Sequence, residues 1–110
     1  MRPEGLTDQE VLWAIRDTPR KILKSNLKSV LYTMVLTIGN NHKDWFYHSN
    51  KQWSEKVGCC PRVVPDLMHR LEDLEYISIQ PPAYYGNGDA NEYKLNYLKI
   101  IEIANYWRSR

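Results

Sequence analysis

The stretch from Ser49 to Tyr97 constrains the fold more than any other part of the chain. Ser49 is a good N-cap, and Trp53 and Val57 lie four residues apart, which gives a short helix one apolar face before Gly58 ends it. After a tight turn, apolar residues recur at the three- and four-residue spacing of a helix face: Val64, Leu67, Met68, Leu71 and Leu74. The two helices predict a helix-turn-helix over residues 49–76.

Two short strands are expected directly after the second helix. Residues 77–80 alternate apolar and polar side chains, and a second alternating run follows at residues 93–95. Between them lie two adjacent prolines and the polar, glycine-rich segment 86–89, which predict a long exposed loop. The strands and the loop form a hairpin, or wing, over residues 77–96. A further short strand, residues 45–47, is expected to pair with this hairpin.

The run from residue 49 to residue 77 resembles winged helix-turn-helix DNA-binding domains. Trp53 stands where that pattern has a buried leucine, Ser54 where it has a small residue, and Gly58 where it has the glycine of the turn. The apolar positions at the exit of the second helix are matched as well: Leu71, Leu74 and Ile77. A small residue at position 54 lets two crossing helices approach closely.

The segment Asn91–Leu95 is similar to the returning wing strand of phage and plasmid replication initiation proteins. The likeness as a whole covers roughly residues 26–97. It implies an α+β fold, mainly α: a winged helix-turn-helix with a small three-stranded antiparallel sheet, flanked here by N- and C-terminal helices. It also implies a DNA-binding protein of replication or regulation.

The chain departs from the family pattern at three positions. Cys60 stands where a Ser cap is usual, Glu75 stands where a Gly is usual, and Pro65 lies inside the second helix. A proline within a helix removes one backbone hydrogen bond. Either the helix begins at Pro65 or its first turn is irregular, and we favour a helix that starts near Pro61 with a local distortion.

A single domain is expected over residues 1–110, because the chain is short and its composition is that of an ordinary globular protein. A Thr and a Glu at capping-box spacing predict an N-terminal helix over residues 7–17, which either packs on the domain or exchanges with a second copy. Apolar spacing predicts a first core helix at 25–38 and a final helix at 97–109. The final helix either packs back on the first helices, or forms a homodimer or docks on a partner protein.

Charge is weak overall but unevenly distributed. The chain carries 15 basic and 13 acidic residues, a net charge of +2. Residues 16–28 contain five basic side chains and one acidic side chain. The second helix of the motif is mostly acidic, with Arg70 against four carboxylates: Asp66, Glu72, Asp73 and Glu75. One part of the molecule is therefore expected to be basic and another acidic.

No arrangement of residues points to catalysis, to a metal or to a cofactor. Cys59 and Cys60 are adjacent and lack the second pair that a zinc site needs. The three histidines are separated by loop and helix and have no spaced carboxylate partner. Because no run of about 18 apolar residues and no apolar leader is present, we expect a cytoplasmic protein with no membrane partner.

Candidate DNA contacts lie on the side of the second helix that faces away from its apolar residues. They are Arg62, Val63, Asp66, His69 and Arg70. Arg62 is the best base reader, because a guanidinium bonds O6 and N7 of guanine together, and Asp66 can accept a hydrogen bond from cytosine. The alternative for Arg62 and Arg70 is a solvated helix face with ion pairs to Asp66 and Asp73.

The remaining candidate contacts are polar or basic side chains expected near phosphates: Ser49, Lys51, Lys56, Lys21, Lys24, Lys28 and Lys94. Contacts of this kind supply position and salt dependence, and they carry no sequence information. Tyr84 and Tyr85 precede the turn of the wing. They either close the hairpin by packing or expose rings that stack on bases or enter a minor groove.

The first hypothesis is therefore a non-enzymatic winged-helix protein that binds duplex DNA and serves replication or regulation of a mobile genetic element. It would act as a symmetric dimer or as the origin-binding part of a complex. One alternative is single-stranded DNA binding, with the basic stretch following phosphates and Tyr84, Tyr85 or Trp45 as stacking rings. Another is a protein-protein adaptor that uses the winged-helix fold for contact.

Overall fold

The computed structural model describes residues 3–38, 45–80 and 91–110. In chain order these residues form five α-helices, three short β-strands and one 3-10 turn: α1 (Asp8–Asp17), α2 (Ser25–Ile38), β1 (Phe46–His48), α3 (Asn50–Val57), the 3-10 turn (Pro61–Val63), α4 (Val64–Asp73), β2 (Ile77–Gln80), β3 (Asn91–Leu95) and α5 (Tyr97–Arg108). The predicted α+β class, mainly α, is confirmed.

The N-terminal helix α1 begins at the predicted cap. Thr7 Oγ1 accepts a hydrogen bond from the backbone N–H of Glu10 at 3.2 Å, which satisfies one of the free donors at the helix start. α1 buries Val11, Ala14 and Ile15 and packs against α2 and α5. In this structure the N-terminal helix therefore packs on its own domain.

Helix α2 joins the terminal helices to the pair α3 and α4. It contacts α1 on one side and both α3 and α4 on the other. Its buried residues recur at spacings of three and four: Leu27, Val30, Leu31, Met34, Val35 and Ile38. Because burying one such side chain stabilises a fold by about 1.5–3 kcal/mol, this stripe is a large part of the core.

Helix α3 has well-defined ends. Ser49 Oγ accepts from the Gln52 N–H at 3.1 Å and Gln52 Oε1 accepts from the Ser49 N–H at 2.8 Å, which completes a capping box. At the other end Gly58 adopts a left-handed conformation with φ +86° and donates its N–H to the Ser54 carbonyl at 2.8 Å. Ser54 is 4% exposed, and α3 and α4 contact each other. Its burial fits the small residue that the family pattern has there.

The start of α4 is irregular near Pro61, as expected. Residues Pro61–Val63 form a 3-10 turn, and the α-helix itself begins at Val64. Pro65 therefore lies in the first turn of the helix. The backbone N–H groups of a first turn have no partner within the helix, so a proline there removes no helical hydrogen bond.

At the end of α4, position 75 has a backbone conformation in which a glutamate is unusual. Glu75 has φ +69°, the conformation in which glycine is favoured. The Tyr76 N–H donates to the Leu71 carbonyl at 3.0 Å and the Glu75 N–H donates to the Glu72 carbonyl at 2.9 Å, the two bonds of a Schellman motif. The helix thus ends in the backbone geometry that usually takes a glycine, with a glutamate side chain at that position.

We predict that Glu75→Gly raises the free energy of unfolding by about 0.5–1 kcal/mol. A left-handed residue with a Cβ costs about 1–2 kcal/mol, and the greater freedom of glycine in the unfolded chain offsets part of that gain. Urea unfolding measures the change. Glu75→Gln is the control, because it removes the charge that pairs with Lys99 Nζ at 3.1 Å and keeps the Cβ. A Glu75→Gly protein less stable than Glu75→Gln would contradict the prediction.

The strands pair antiparallel in the order β1-β3-β2. Ile77 of β2 lies opposite Leu95 of β3, and Phe46 of β1 lies opposite Tyr93. The strand expected at residues 45–47 is shifted by one residue, because His48 still pairs with β3 directly before the cap of α3. The wing loop, residues 81–90, lies outside the described residues.

Helix α5 packs against α1 at the end of the molecule where both helices terminate. Arg108 donates from Nε and Nη2 to Asp17 Oδ2 at 3.0 and 2.8 Å, and Arg16 Nε donates to Asp17 Oδ1 at 2.9 Å. These hydrogen bonds, from Arg16 first and then Arg108, hold the pKa of Asp17 below its ordinary value. The final helix therefore packs back on the first one. Among the described helices, none has both the length and the apolar content needed to cross a bilayer.

Candidate nucleic-acid interface

The 3-10 turn and α4 present one side to the core and the other side to solvent. Val64, Met68 and Leu71 are buried, and α4 contacts α2, α3 and β2. The candidate base contacts are all exposed: Arg62, Val63, Asp66, His69 and Arg70. Val63 is 40% exposed, which is unusual for an apolar side chain. The structure thus places these five predicted residues on one solvent-facing element.

The acidic residues of this region do not all lie on that exposed side. Glu72 Oε2 accepts from the Ile79 backbone N–H of β2 at 3.3 Å, and Glu75 pairs with Lys99 of α5. Within the described part of the chain, neither Arg62 nor Arg70 is ion-paired to Asp66 or Asp73. The two guanidinium groups are therefore available to a ligand, while Asp66 and Asp73 are exposed on the same helix and Glu72 Oε1 lies 3.8 Å from Nδ1 of the exposed His69.

Lys24 lies beside α4, although it precedes that helix by forty residues. It lines a groove together with Asn26 of α2 and four exposed residues of α4, Asp66, His69, Arg70 and Asp73. The groove adds a third cation to the two arginines. Asn26 was not predicted as a site residue. The only sequence signal for it is its place next to a serine at a helix start, a common pattern that says nothing about what lies opposite.

The other two lysines of the basic stretch are placed elsewhere. Lys28 Nζ donates to the Arg16 carbonyl at the end of α1, at 3.0 Å, where it satisfies a free carbonyl of that helix. Lys21 Nζ lies 4.5 Å from the ring centroid of Trp107 in α5. The lysines of the basic stretch, residues 16–28, therefore lie at different places in the structure. Lys24 is the one that lies at the α4 groove.

Some of the remaining predicted phosphate contacts are exposed, and others are engaged in contacts within the protein. Lys51 and Lys56 are exposed on α3, and Ser49 is occupied as the α3 cap. Lys94 lines a groove between the sheet and α5 beside Glu72 and Glu75, and its Nζ is 5.4 Å from the ring centroid of Trp45. Lys94 thus lies with acidic residues and an aromatic ring. Tyr84 and Tyr85, the ring candidates of the wing, lie outside the described residues.

A cluster of aromatic rings packs between α3 and the sheet. His48 lies edge-on between Phe46 and Trp53, with ring centroids 4.7 and 4.8 Å away, and Trp53 also contacts Tyr93 at 5.8 Å. The Nε2 atom of His48 is buried and has no hydrogen-bond partner among the described residues. Burial lowers the pKa of His48 first, and the nearby positive charge of Lys56 lowers it further.

We predict that the protein loses stability as pH falls below about 6.5, the ordinary histidine value. The unfolded chain binds the His48 proton more readily than the folded chain, so stability is complete above 6.5 and decreases as pH falls through the lower folded pKa. Urea unfolding at several pH values between about 5 and 7, the range in which histidine titrates, measures this slope. His48→Phe should flatten it.

Lys56→Gln is the matched control for that experiment. It removes the neighbouring charge and leaves His48 buried, so the slope should decrease only in part, because burial is the larger cause of the lowered pKa. An unchanged slope in the His48→Phe protein would show that another group causes the loss.

The cysteines, the potential metal ligands and comparisons with known proteins do not identify a function. Cys59 and Cys60 are free thiols, and Cys60 is exposed at the start of the 3-10 turn. Within the described ranges, no three His, Cys, Asp or Glu side chains are grouped so that they could hold a metal ion. Comparisons of the chain with family models, with curated proteins and with solved structures give no match.

Proposed function

We propose that this chain is a non-enzymatic, winged-helix DNA-binding protein that docks the exposed side of α4 in the major groove of duplex DNA. The observation that carries the proposal is the position of Arg62 and Val63. Both are exposed in the 3-10 turn that leads into α4, while the opposite side of α4 is buried in the core. In helix-turn-helix proteins the N-terminal residues of the second helix are the ones that contact base edges.

The supporting parts of the proposed interface have separate roles. Arg62 offers two donors to guanine, Asp66 accepts from cytosine, and Val63 offers apolar contact to a thymine methyl group. Lys51 and Lys56 on α3 and Lys24 in the groove beside α4 supply contacts to phosphates. The small sheet of β1, β3 and β2 next to the helix pair supports the assignment to a winged helix.

The biological role in the proposal rests on the sequence resemblance. The strand β3, Asn91–Leu95, is similar to the wing strand of replication initiation proteins of phages and plasmids. We therefore place the DNA-binding activity in replication or regulation of a mobile genetic element, with a second copy or another protein as a possible partner in a larger complex.

The experiment that tests the proposal is fluorescence anisotropy of the purified protein with a short, labelled duplex of mixed sequence, titrated with salt. Non-specific duplex binding at micromolar concentration, with a logarithmic salt slope that corresponds to several phosphates, is the expected result. Selection from a random-sequence library then identifies the preferred site.

Absence of duplex binding at low salt would overturn the proposal. Single-strand binding and the adaptor hypothesis would then remain. Where the duplex does bind, the Lys24→Glu protein tests whether the groove beside α4 contacts it. Charge reversal at this groove lysine should strongly weaken duplex binding, because it replaces an attraction to phosphate by a repulsion. A protein complex formed through α5 should not respond to it.

A further inference from the structure

The C-terminal ends of α1 and α5 form a surface on which rings and cations alternate. Three aromatic residues on it each have a cation near the ring: Arg16 near Trp13, Lys21 near Trp107, and Arg110 near Tyr106. We call this the α1–α5 surface, defined by these six residues. Its members come from both ends of the sequence, so no local sequence pattern predicts the surface.

Side-chain contacts join several members of the surface. Tyr106 and Trp107 are in edge contact at 5.2 Å, and Arg110 lies 4.5 Å from the Tyr106 ring centroid. Trp107 is followed by Arg108, whose guanidinium shares the Asp17 carboxylate with Arg16. Arg16 in turn lies 6.0 Å from the Trp13 ring centroid. The contacts thus form two groups, Tyr106 and Trp107 with Lys21 and Arg110, and Trp13 with Arg16, and Asp17 joins the two helices through Arg16 and Arg108.

The surface is both open and strongly positive. Trp13 is 45% exposed and Tyr106 is 49% exposed. The side chain of Arg16 is 62% exposed, although its Nε bonds to Asp17. Asp17 is the one acidic residue in this chain of contacts, against the cations of Arg16, Lys21, Arg108 and Arg110. The ligand that fits is a polyanion that also presents flat, apolar faces.

We propose that the α1–α5 surface binds single-stranded nucleic acid, with Trp13 and Tyr106 stacking on bases and Arg16, Lys21 and Arg110 contacting phosphates. Unstacked bases have exposed π-faces, and rings next to cations bind them with little sequence preference. The bases of a duplex are already stacked on each other, so a duplex offers these rings no face. The surface thus selects single strands.

A membrane surface fits these residues less well. A helix that lies in a bilayer interface needs a broad apolar face, and here each of the three rings has a cation beside it. The α5 residues next to Tyr106 and Arg108 are Asn105 and Ser109, which are polar and exposed. This interleaving of charge and rings favours a strand with alternating phosphates and bases.

The surface is distinct from the proposed duplex interface but lies near it. Lys21 lines a recess at the start of α2 together with Arg20 and Lys24, and Lys24 also lines the groove beside α4. Positive charge therefore continues from the α4 groove to the α1–α5 surface. The inference does not depend on duplex binding, because none of the six defining residues belongs to α4.

The test compares three labelled ligands of equal length by anisotropy: oligo-dT, oligo-rU and a mixed-sequence duplex. The main variant is the double substitution Trp13→Ala and Tyr106→Ala. Because each stacked base contributes substantially, loss of two rings should raise the Kd for oligo-dT about tenfold or more, while the Kd for the duplex should change less than about twofold. The ratio of wild-type affinities for oligo-dT and oligo-rU compares a DNA strand with an RNA strand, which differ in the sugar and in the methyl group of thymine.

Three further variants guard against misinterpretation. The double variant Trp13→Phe and Tyr106→Phe keeps the rings and should recover most of the affinity. Leu98→Ala removes an exposed apolar side chain of α5, 72% exposed, that lies outside the surface, and should have no effect. If the alanine pair unfolds, Arg110→Gln replaces it, and it should reduce the logarithmic salt slope for oligo-dT by about 0.7, one phosphate contact.

Several results would overturn the inference. One is an unchanged affinity for oligo-dT in both the alanine pair and Arg110→Gln. Another is an equal loss on the single strand and on the duplex, since a general charge effect would then suffice. A third is a loss of binding to vesicles of anionic lipid with no change for oligo-dT. Each of these leaves the α4 proposal in place, because that proposal depends on duplex affinity.

Discussion

Replacement of Trp53 by alanine is expected to lower the free energy of unfolding by about 3 kcal/mol. Trp53 is fully buried, and its ring contacts His48 and Tyr93, so the substitution leaves a cavity between α3 and the sheet. Loss of a buried tryptophan costs about 3–5 kcal/mol. We expect the lower end, because the indole Nε1 is buried without a partner among the described residues and its removal relieves that cost.

The matched control is the same substitution at Trp13. That side chain is 45% exposed, so Trp13→Ala should cost about 1 kcal/mol or less. Urea unfolding monitored by circular dichroism compares the two variants with the wild type. Equal losses at the two positions would mean that the ring cluster behind α3 is not the packed core described above.

Replacement of Arg62 by alanine is expected to weaken duplex binding by about 1–3 kcal/mol, roughly five- to 150-fold, on the preferred sequence. The side chain is exposed and is not ion-paired to Asp66 within the described residues, so little stability should be lost. The defining effect is on specificity. Discrimination at one base pair should relax, because a bidentate contact to guanine is removed.

Lys51→Ala is the control for this prediction. Lys51 is exposed on α3 and is proposed to contact a phosphate. Its loss should weaken binding evenly across sequences and reduce the logarithmic salt slope by about 0.9. Anisotropy titrations at several salt concentrations, on the preferred site and on single-base variants of it, separate the two effects. If Arg62→Ala behaved like Lys51→Ala, Arg62 would be a backbone contact and not a base reader.

The candidate interface was predictable as a list of exposed residues and only partly as a surface. Arg62, Val63, Asp66, His69 and Arg70 follow from the apolar spacing of their own helix, because residues off the buried face must be exposed. The charge of that exposed face could not be predicted from the apolar spacing. The hydrogen bond from Ile79 to Glu72 depends on where β2 lies, and no local rule predicts it.

The sequence by itself determined the local elements: the Ser49 cap, the end of α3 at Gly58 and the buried stripe of α2. Caps and helix faces depend on residues within about one or two turns, so the sequence contains them. Only the tertiary structure decided the places of Lys21 and Lys28, which lie seven residues apart in the chain and contact different helices. Their partners come from elements distant in sequence, and a side chain's partner is set by which helices pack together.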